Sequence, residues 1–304
     1  MPERARVRAL VGPTAVGKTE VSLAVAQAID AEIVSVDSMQ AYRGMDVGTA
    51  KASPAQRTSV PHHLVDVFDP SEEVTVAQFQ ALARAAIDDI SKRGRVPLLV
   101  GGSGLYFRSV VDDLRFPPRS ETLRTSLAKE AEDVGAETLH ARLRELDPAA
   151  AAKMEPGNAR RIIRALEVIE LTGRPFSDND TWERFESRYD LRVAGLELPR
   201  EVLYDRIAAR IDRMLQEGLL SEVAALKQSG FGRTAGQALG YRQALEAAPD
   251  STLAGLRDDI VRATKRFARR QESWFRADPR VRWFDAEDPE LTARLVRYFE
   301  DSER

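Results

Sequence analysis

The sequence predicts an α/β protein: a P-loop NTPase-like parallel sheet core that carries a helical insertion. Three observations lead there. A glycine-rich segment, GPTAVGKT (Gly12–Thr19), directly follows a short apolar run. Strand-like and helix-like patterns alternate over the N-terminal third, which implies a mostly parallel sheet covered on both faces. From Glu121 to Leu171 the pattern then turns almost wholly helical.

The elements follow in order. Val7 to Gly12 reads as a strand, and Lys18 to Ile29 as a helix whose N-terminus faces the glycine-rich turn. Glu32 to Val36 is a second strand ending at Asp37-Ser38, and Leu64 to Phe68 is expected to be a third. Val76 to Lys92 carries apolar residues at helical spacing. Pro97 to Val100 is a compact buried strand, and Gly101-Gly102-Ser103-Gly104 turns it into another helix. Phe116-Pro117-Pro118 breaks the pattern. The helical stretch beyond it is cut by Pro148 and Pro156-Gly157, and Phe176 to Tyr189 is polar without a clear period. Leu191 to Leu198 returns as strand. Glu201 to Gln228 is a long amphipathic helix that Gly218 is placed to break; Asp250 to Phe275 is another. Val281 to Phe284 is a last strand. Residues 1–115 and 191–304 are thus expected to form the core with its C-terminal helices, and 116–190 the insertion.

Composition excludes several classes. With 304 residues, 43% hydrophobic and 31% charged, the chain is long enough for a real core. No apolar run approaches the roughly 18 residues of a membrane span. MPERARVRALVG runs from charge straight into strand, so no secretory leader is expected. The chain has no cysteine and only His62, His63 and His140, which removes thiolate sites and disfavours a histidine-rich zinc site. A reducing cytoplasm is the expected setting. The net charge of −3 argues weakly against nucleic acid. Its distribution argues the other way: Arg257 to Arg276 holds seven basic and three acidic residues, and Arg160, Arg161 and Arg164 form a second cluster.

Gly12–Thr19 fits the pattern Gly, four residues, Gly-Lys-Thr. Its glycines let backbone N–H groups turn inward around a diphosphate, Lys18 supplies a point charge, and the Thr19 hydroxyl is a ligand for Mg²⁺. Pro13, Thr14, Ala15, Val16 and Gly17 complete the cradle. The loop by itself does not say that the polyphosphate is ATP. Asp37, at a strand end, suits either a metal ligand or a general base. Ser103 suits either a hydrogen bond to substrate or an N-cap. The best apolar strand, PLLVGG, ends in glycines instead of the Asp-Glu of a motor ATPase; a kinase with RRIIR as an arginine lid stays open. Arg262, Arg266 and Arg269 share one helical row ahead of Trp274 and Phe275, which suits RNA or a solvated face. Adjacent His62 and His63 point to opposite sides of an extended chain and read as structural.

In sequence order, GPTAVGKT, SVDSMQAYRGMDVGTAK (Ser35–Lys51), PHHLVD (Pro61–Asp66), PLLVGGSGLYF (Pro97–Phe107), RALEV (Arg164–Val168), GYRQ (Gly240–Gln243) and RRQESWFR (Arg269–Arg276) resemble the tRNA dimethylallyltransferases of the bacterial type. The resemblance covers nearly the whole chain. It implies transfer of a dimethylallyl group from its diphosphate to N6 of the adenosine 3′ of a tRNA anticodon, with Mg²⁺. The P-loop would then hold the prenyl donor, not ATP. By the same resemblance Asp37 is the general base, and Arg210, in RIDRM, contacts diphosphate. Ser103 stands where the family usually has threonine, so a hydroxyl is kept and a methyl lost. Ser38, Met39 and Gln40 align with contacts around the target base. Arg124, Arg160, Arg161 and Arg164 align with tRNA-contact regions, which assigns the insertion to the anticodon stem-loop. So do Tyr241 and Arg242, and Arg269, Arg270, Trp274 and Arg276. No obligate protein partner and no membrane are implied. A free-nucleotide isopentenyltransferase, a small-molecule P-loop kinase and an RNA-binding module with a vestigial P-loop are the rival readings; an intact Lys18-Thr19 and a placed Asp37 count against the last.

Overall fold

The computed structural model describes residues 4–114, 116–179, 184–248 and 250–301. It divides into two compact units, Met1–Asp113 with Phe185–Arg304, and Leu114–Arg184.

The first unit is built on a six-stranded sheet. In chain order its N-terminal part runs β1 (Arg6–Val11), α1 (Lys18–Ala28), β2 (Ala31–Ser35), α2 (Pro54–Ser59), β3 (His62–His63), α3 (Val76–Lys92), β4 (Val96–Gly101) and α4 (Gly104–Val111). The strand order is β3-β2-β4-β1, continued by two strands from the C-terminal part of the chain, and every pairing is parallel. β1 and β2 are buried almost end to end, as a parallel strand covered on both faces requires. α3 matches the helical spacing seen in the sequence and starts at a capping box, with Thr75 and Gln78 satisfying each other's backbone N–H.

The third strand differs from expectation. Pairing with β2 uses His62 and His63, opposite Ile33 and Val34, and stops before Leu64. Leu64 and Asp66 take left-handed φ values of 61° and 58°, which a strand cannot accommodate. The Asp66 carboxylate binds Lys51 and Arg57, both at 2.6 Å. That ion cluster holds a turn where the apolar pattern alone suggested a ladder; Phe68 makes just an isolated bridge to Tyr42.

The second unit is helical: α5 (Glu121–Val134), α6 (Ala136–Leu146), α7 (Pro148–Ala152) and α8 (Ala159–Thr172), followed by a short 3₁₀ helix at Phe176–Asn179. Leu127, Leu139, Leu143, Ile162 and Leu166 form its core. Glu167, on α8, is fully buried. It accepts the Ser120 N–H at 2.9 Å and the guanidiniums of Arg124 and Arg164 at 2.7 Å each. Arg164 also donates to the carbonyls of Pro117 and Pro118. Burial works against the Glu167 carboxylate, but Arg164, Arg124 and the Ser120 N–H outweigh it and hold its pKa below the usual range. Glu167 therefore ties α5 and the Pro-Pro segment to α8. Glu167→Ala should lower the unfolding free energy of the full chain by about 3 kcal/mol, because two arginines lose a buried partner. A denaturation midpoint unchanged from wild type would show that this cluster holds nothing. Residues 180–183 of the polar Phe176–Tyr189 segment lie outside the described residues.

The chain then returns to the sheet with β5 (Asp190–Glu197), α9 (Arg200–Gln216), α10 (Leu219–Ser229), α11 (Tyr241–Glu246), α12 (Leu253–Arg276), β6 (Val281–Asp285) and α13 (Leu291–Glu300). β5 pairs with β1 and β6 with β5. Gly218, left-handed at φ 100°, separates α9 from α10, as its position in the amphipathic pattern suggested. Arg6 and Arg8 both donate to the Phe299 carbonyl at 2.8 Å, so cations close the C-terminal end of α13. β1, β2 and β4 end side by side, and their carboxyl ends define where a ligand sits in such a sheet.

Candidate active site

Three loops at those strand ends form the site. The first is Gly12–Thr19, between β1 and α1. Lys18 Nζ donates to the carbonyls of Gly12 (2.9 Å) and Pro13 (2.7 Å). Desolvation in the cleft, with Arg210 nearby, pushes its pKa down to about 7 against the opposing pull of Asp37. Val16 is buried beneath the loop, and Ala15 holds a left-handed φ of 65°.

The second loop follows β2. Asp37 Oδ1 accepts the Met39 N–H at 3.0 Å, a local turn that orients the carboxylate. Behind it, Ser35 Oγ donates to Gln40 Oε1 at 3.0 Å, and Gln40 Nε2 donates to the Thr49 carbonyl at 3.3 Å. Arg210, on α9, reaches the same carbonyl at 3.5 Å. Burial lowers the Arg210 pKa, and Asp37 counteracts it.

The third loop follows β4. Ser103 occupies the N-cap position of α4, yet its side chain makes no capping bond. The capping alternative therefore does not describe its hydroxyl. Two neighbouring glycines allow α12 to approach. A Cβ at Gly102 would meet Gln271 Nε2 at 2.2 Å, and one at Gly104 would meet the Trp274 ring at 2.4 Å.

Two cavities open on these loops. The larger, about 760 Å³, is lined by Thr14, Gly17, Lys18, Thr19, Asp37, Gln40, Arg210 and Arg213 among others. The smaller, about 310 Å³, is lined by Ser38, Met39, Ser103, Leu239, Arg242, Thr264 and Arg270 among others. Thr14, Asp37, Thr49, Arg210, Phe267 and Gln271 line both. Asp37 thus stands where the P-loop chamber meets one whose wall mixes apolar side chains with Arg210, Arg242, Arg270 and several other polar groups.

Gln271 escaped the sequence reading. Its Oε1 accepts the Thr14 N–H and its Nε2 donates to the Gly102 carbonyl, both at 2.9 Å, so α12 locks the P-loop to the turn after β4. The available signal was a glutamine directly after Arg269-Arg270 that the basic row does not explain. Tyr241 requires a correction. Expected at an RNA surface, it is fully buried, and its hydroxyl donates to Glu222. A side chain without exposed surface touches no RNA. Gln40 lies in the wall of the larger chamber instead of the smaller one.

The arginines divide into two groups. Arg124 and Arg164 are engaged with Glu167. Arg276 binds Glu197 at 2.6 Å and lies over the Trp283 ring. Arg160 and Arg161 are exposed in the first turn of α8, where the helix dipole disfavours cations. Arg269 and Arg270 are exposed on α12, with Arg270 over the Phe267 ring at 5.7 Å. Trp274 is 41% exposed.

A parallel sheet with a P-loop at its centre, beside a second chamber and a carboxylate at their junction, defines a P-loop enzyme that joins a diphosphate-bearing substrate to a second one. The comparisons make this specific. The IPP transferase family model matches residues 40–278, and an isopentenyl transferase model matches residues 5–69. The tRNA dimethylallyltransferase of Streptomyces coelicolor is 51% identical over 304 residues, covering 97% of each chain. That of Kineococcus radiotolerans is 54% identical over 95% of this chain and 94% of its own. The solved structure of tRNA isopentenylpyrophosphate transferase from Bacillus halodurans superposes with a TM-score of 0.71 at 41% identity, over 97% of this chain and 95% of that one. A eukaryotic dimethylallyltransferase acting on tRNA superposes with a TM-score of 0.79 at 26% identity, over 93% and 74%. The chain belongs to the tRNA dimethylallyltransferase family of IPP transferases.

Proposed function

We propose that the protein moves a dimethylallyl group from dimethylallyl diphosphate to N6 of the adenosine immediately 3′ of the anticodon in tRNA, with release of diphosphate. The observation that carries this reading is the pair of chambers meeting at Asp37. The P-loop chamber suits the donor diphosphate. The smaller chamber, with Met39, Leu239 and Phe267 beside Ser103 and Arg242, suits an unstacked base with a polar edge.

The chemistry balances on these residues. The allylic C–O bond to diphosphate breaks, and a bond forms between that carbon and N6. Asp37 takes the N6 proton. Negative charge grows on the departing diphosphate, where Lys18, Arg210 and the backbone N–H groups of the loop stabilise it. The exocyclic amine is a poor nucleophile, so holding it beside the allyl carbon contributes as much as basicity. Among the described residues no group of three or more His, Asp or Glu side chains forms a metal cage. A Mg²⁺ here fits a site in which Thr19 supplies one ligand and the phosphates supply others. When bound, the ion supplies further charge neutralisation for the diphosphate.

The arginines of α8 and α12 are read as the tRNA footprint, the anticodon stem-loop as the part gripped, and the cytoplasm as the setting. Among the described residues no helix is long and apolar enough to cross a membrane. Arg269→Ala and Arg160→Ala should each weaken tRNA binding and reduce the slope of log Kd against log salt by about 1. An unaltered slope returns these arginines to ordinary solvated surface.

The deciding experiment incubates the protein and Mg²⁺ with radiolabelled dimethylallyl diphosphate, offering unmodified tRNA, AMP and ATP separately. Label in tRNA alone, lost when the target adenosine is changed or EDTA is added, is the expected result. Label in a free nucleotide overturns the acceptor assignment. No label, with ATP consumed when small hydroxyl acceptors are supplied, returns the P-loop to ATP.

A further inference from the structure

Glu222 lies in the first turn of α10, where an acid ordinarily favours its own helix N-terminus. Its carboxylate is directed elsewhere. Oε2 accepts the N–H groups of Asp46 (2.9 Å) and Val47 (2.8 Å), and Oε1 accepts the Gly48 N–H (3.2 Å) and the Tyr241 hydroxyl. Three successive amides and a phenol thus converge on one carboxylate, in the geometry of a backbone nest around an anion.

The loop that Glu222 holds and the segment just before Tyr241 are both cavity walls. Residues after Gly48 continue as Thr49, Ala50 and Lys51 along the larger chamber. The Thr49 carbonyl is the one that receives Arg210 and Gln40, and Gln40 leads through Ser35 Oγ to the backbone N–H of Asp37 at 3.4 Å. Tyr241 follows the Gln237–Gly240 stretch that lines the smaller chamber. Its ring lies directly on Gly48, where a Cβ would stand 2.3 Å from the nearest ring carbon. The ring also packs against Phe231, at 6.2 Å between centroids. Burial and the neighbouring carboxylate raise the Tyr241 pKa, so the phenol stays protonated and donates.

The geometry assigns Glu222 as a positioning residue for the transfer reaction: with Tyr241 it fixes the spacing between the donor-side loop and the acceptor-side loop, and through Thr49 it sets where Arg210 stands. This rests on the proposed function, since it presumes donor in one chamber and acceptor in the other. It also accounts for a GYR segment whose tyrosine never reaches solvent.

The test uses the full chain and three variants. Glu222→Ala removes all four bonds. Glu222→Gln keeps one acceptor oxygen and the shape. Tyr241→Phe removes the phenol bond alone. Glu222→Ala should lower kcat/KM for the donor by about 10²-fold, with both kcat and KM changed, because a misplacement of about 1 Å at a reacting pair costs that much. Glu222→Gln should recover about tenfold of it, and Tyr241→Phe should stand near wild type within about fivefold. The tRNA Kd should stay within about twofold throughout, since none of these groups is surface charge. A purely structural role would shift the melting temperature and leave kcat and KM of the folded enzyme at wild-type values, which overturns the proposal. Should Glu222→Ala fail to fold, Glu222→Gln decides: wild-type kinetics from it count against positioning. Calorimetry with inorganic diphosphate and Mg²⁺ separates the two levels of inference. Weakened diphosphate binding in the variants upholds positioning even where wild type transfers no label to tRNA, whereas transfer by wild type with unperturbed variants keeps the function and removes Glu222.

Discussion

Asp37→Asn should lower kcat for prenyl transfer by about 10²–10⁴-fold, the contribution of a positioned general base, and leave tRNA affinity nearly unchanged. Asparagine is the informative replacement. It keeps an oxygen that can accept the Met39 N–H, which Asp37 Oδ1 now does at 3.0 Å, so the turn after β2 survives. Alanine would release that turn and move Ser38 and Met39 as well, mixing two effects. Asparagine cannot take a proton, and that loss is the one under test. It also removes a negative charge from a chamber built for an anion. Donor KM should therefore hold or fall, since the attraction of Lys18 and Arg210 is no longer shared with Asp37. A metal-ligand role predicts something else: an increased Mg²⁺ requirement, with kcat recovering at high Mg²⁺. Single-turnover rates on preformed tRNA complex distinguish these outcomes. A normal rate on bound complex with collapsed tRNA affinity would mean that Asp37 binds the acceptor and is not the base.

The parts of the site legible in the sequence are those whose function resides in a contiguous run. Gly12–Thr19 needs its spacing and nothing else, and Asp37 needs only a strand before it. The α/β class followed from alternating patterns because each strand and helix carries its own periodicity. What stayed hidden depends on partners far along the chain. Gln271 is anonymous until Thr14 and Gly102, 257 and 169 residues away, are seen to share its amide. Arg124 reads as free positive charge because its acid, Glu167, lies 43 residues on; Arg164 has that acid three residues away on its own helix, a local pair whose burial shows only in the fold. Tyr241 sits in a motif with the composition of a binding loop, and its burial depends on Gly48 leaving room for the ring. The strand expected at Leu64–Phe68 failed for a related reason. The apolar run there is real, but the Lys51–Asp66–Arg57 cluster fixes the backbone in left-handed turns. Periodicity reports burial, and it is silent about which ionic contact wins.

Lys18→Ala should reduce kcat by about 10²–10³-fold, the cost of removing one preorganised stabiliser of a developing oxyanion, and should weaken diphosphate binding in parallel. The ammonium is bonded to the Gly12 and Pro13 carbonyls, and its pKa of about 7 records a cation desolvated next to Arg210 with Asp37 as partial compensation. A diphosphate supplies the missing negative charge, so donor binding restores what burial removes. Arginine should not rescue the loss, since its planar fork does not fit where a compact point charge turns back onto its own loop. The same desolvation acts on the stability of the ligand-free, metal-free protein. A lysine whose folded pKa is depressed destabilises the native state, because the unfolded chain binds the proton more tightly. Lys18→Met should therefore raise the melting temperature. The gap over wild type should widen as pH falls from about 10 toward the folded pKa of about 7, then level off. A variant that is inactive yet more stable would identify Lys18 as a group kept for the reaction at the expense of the fold. Unchanged donor affinity, transfer rate and stability together would take the P-loop lysine out of the mechanism and leave the diphosphate to Arg210 and the loop amides.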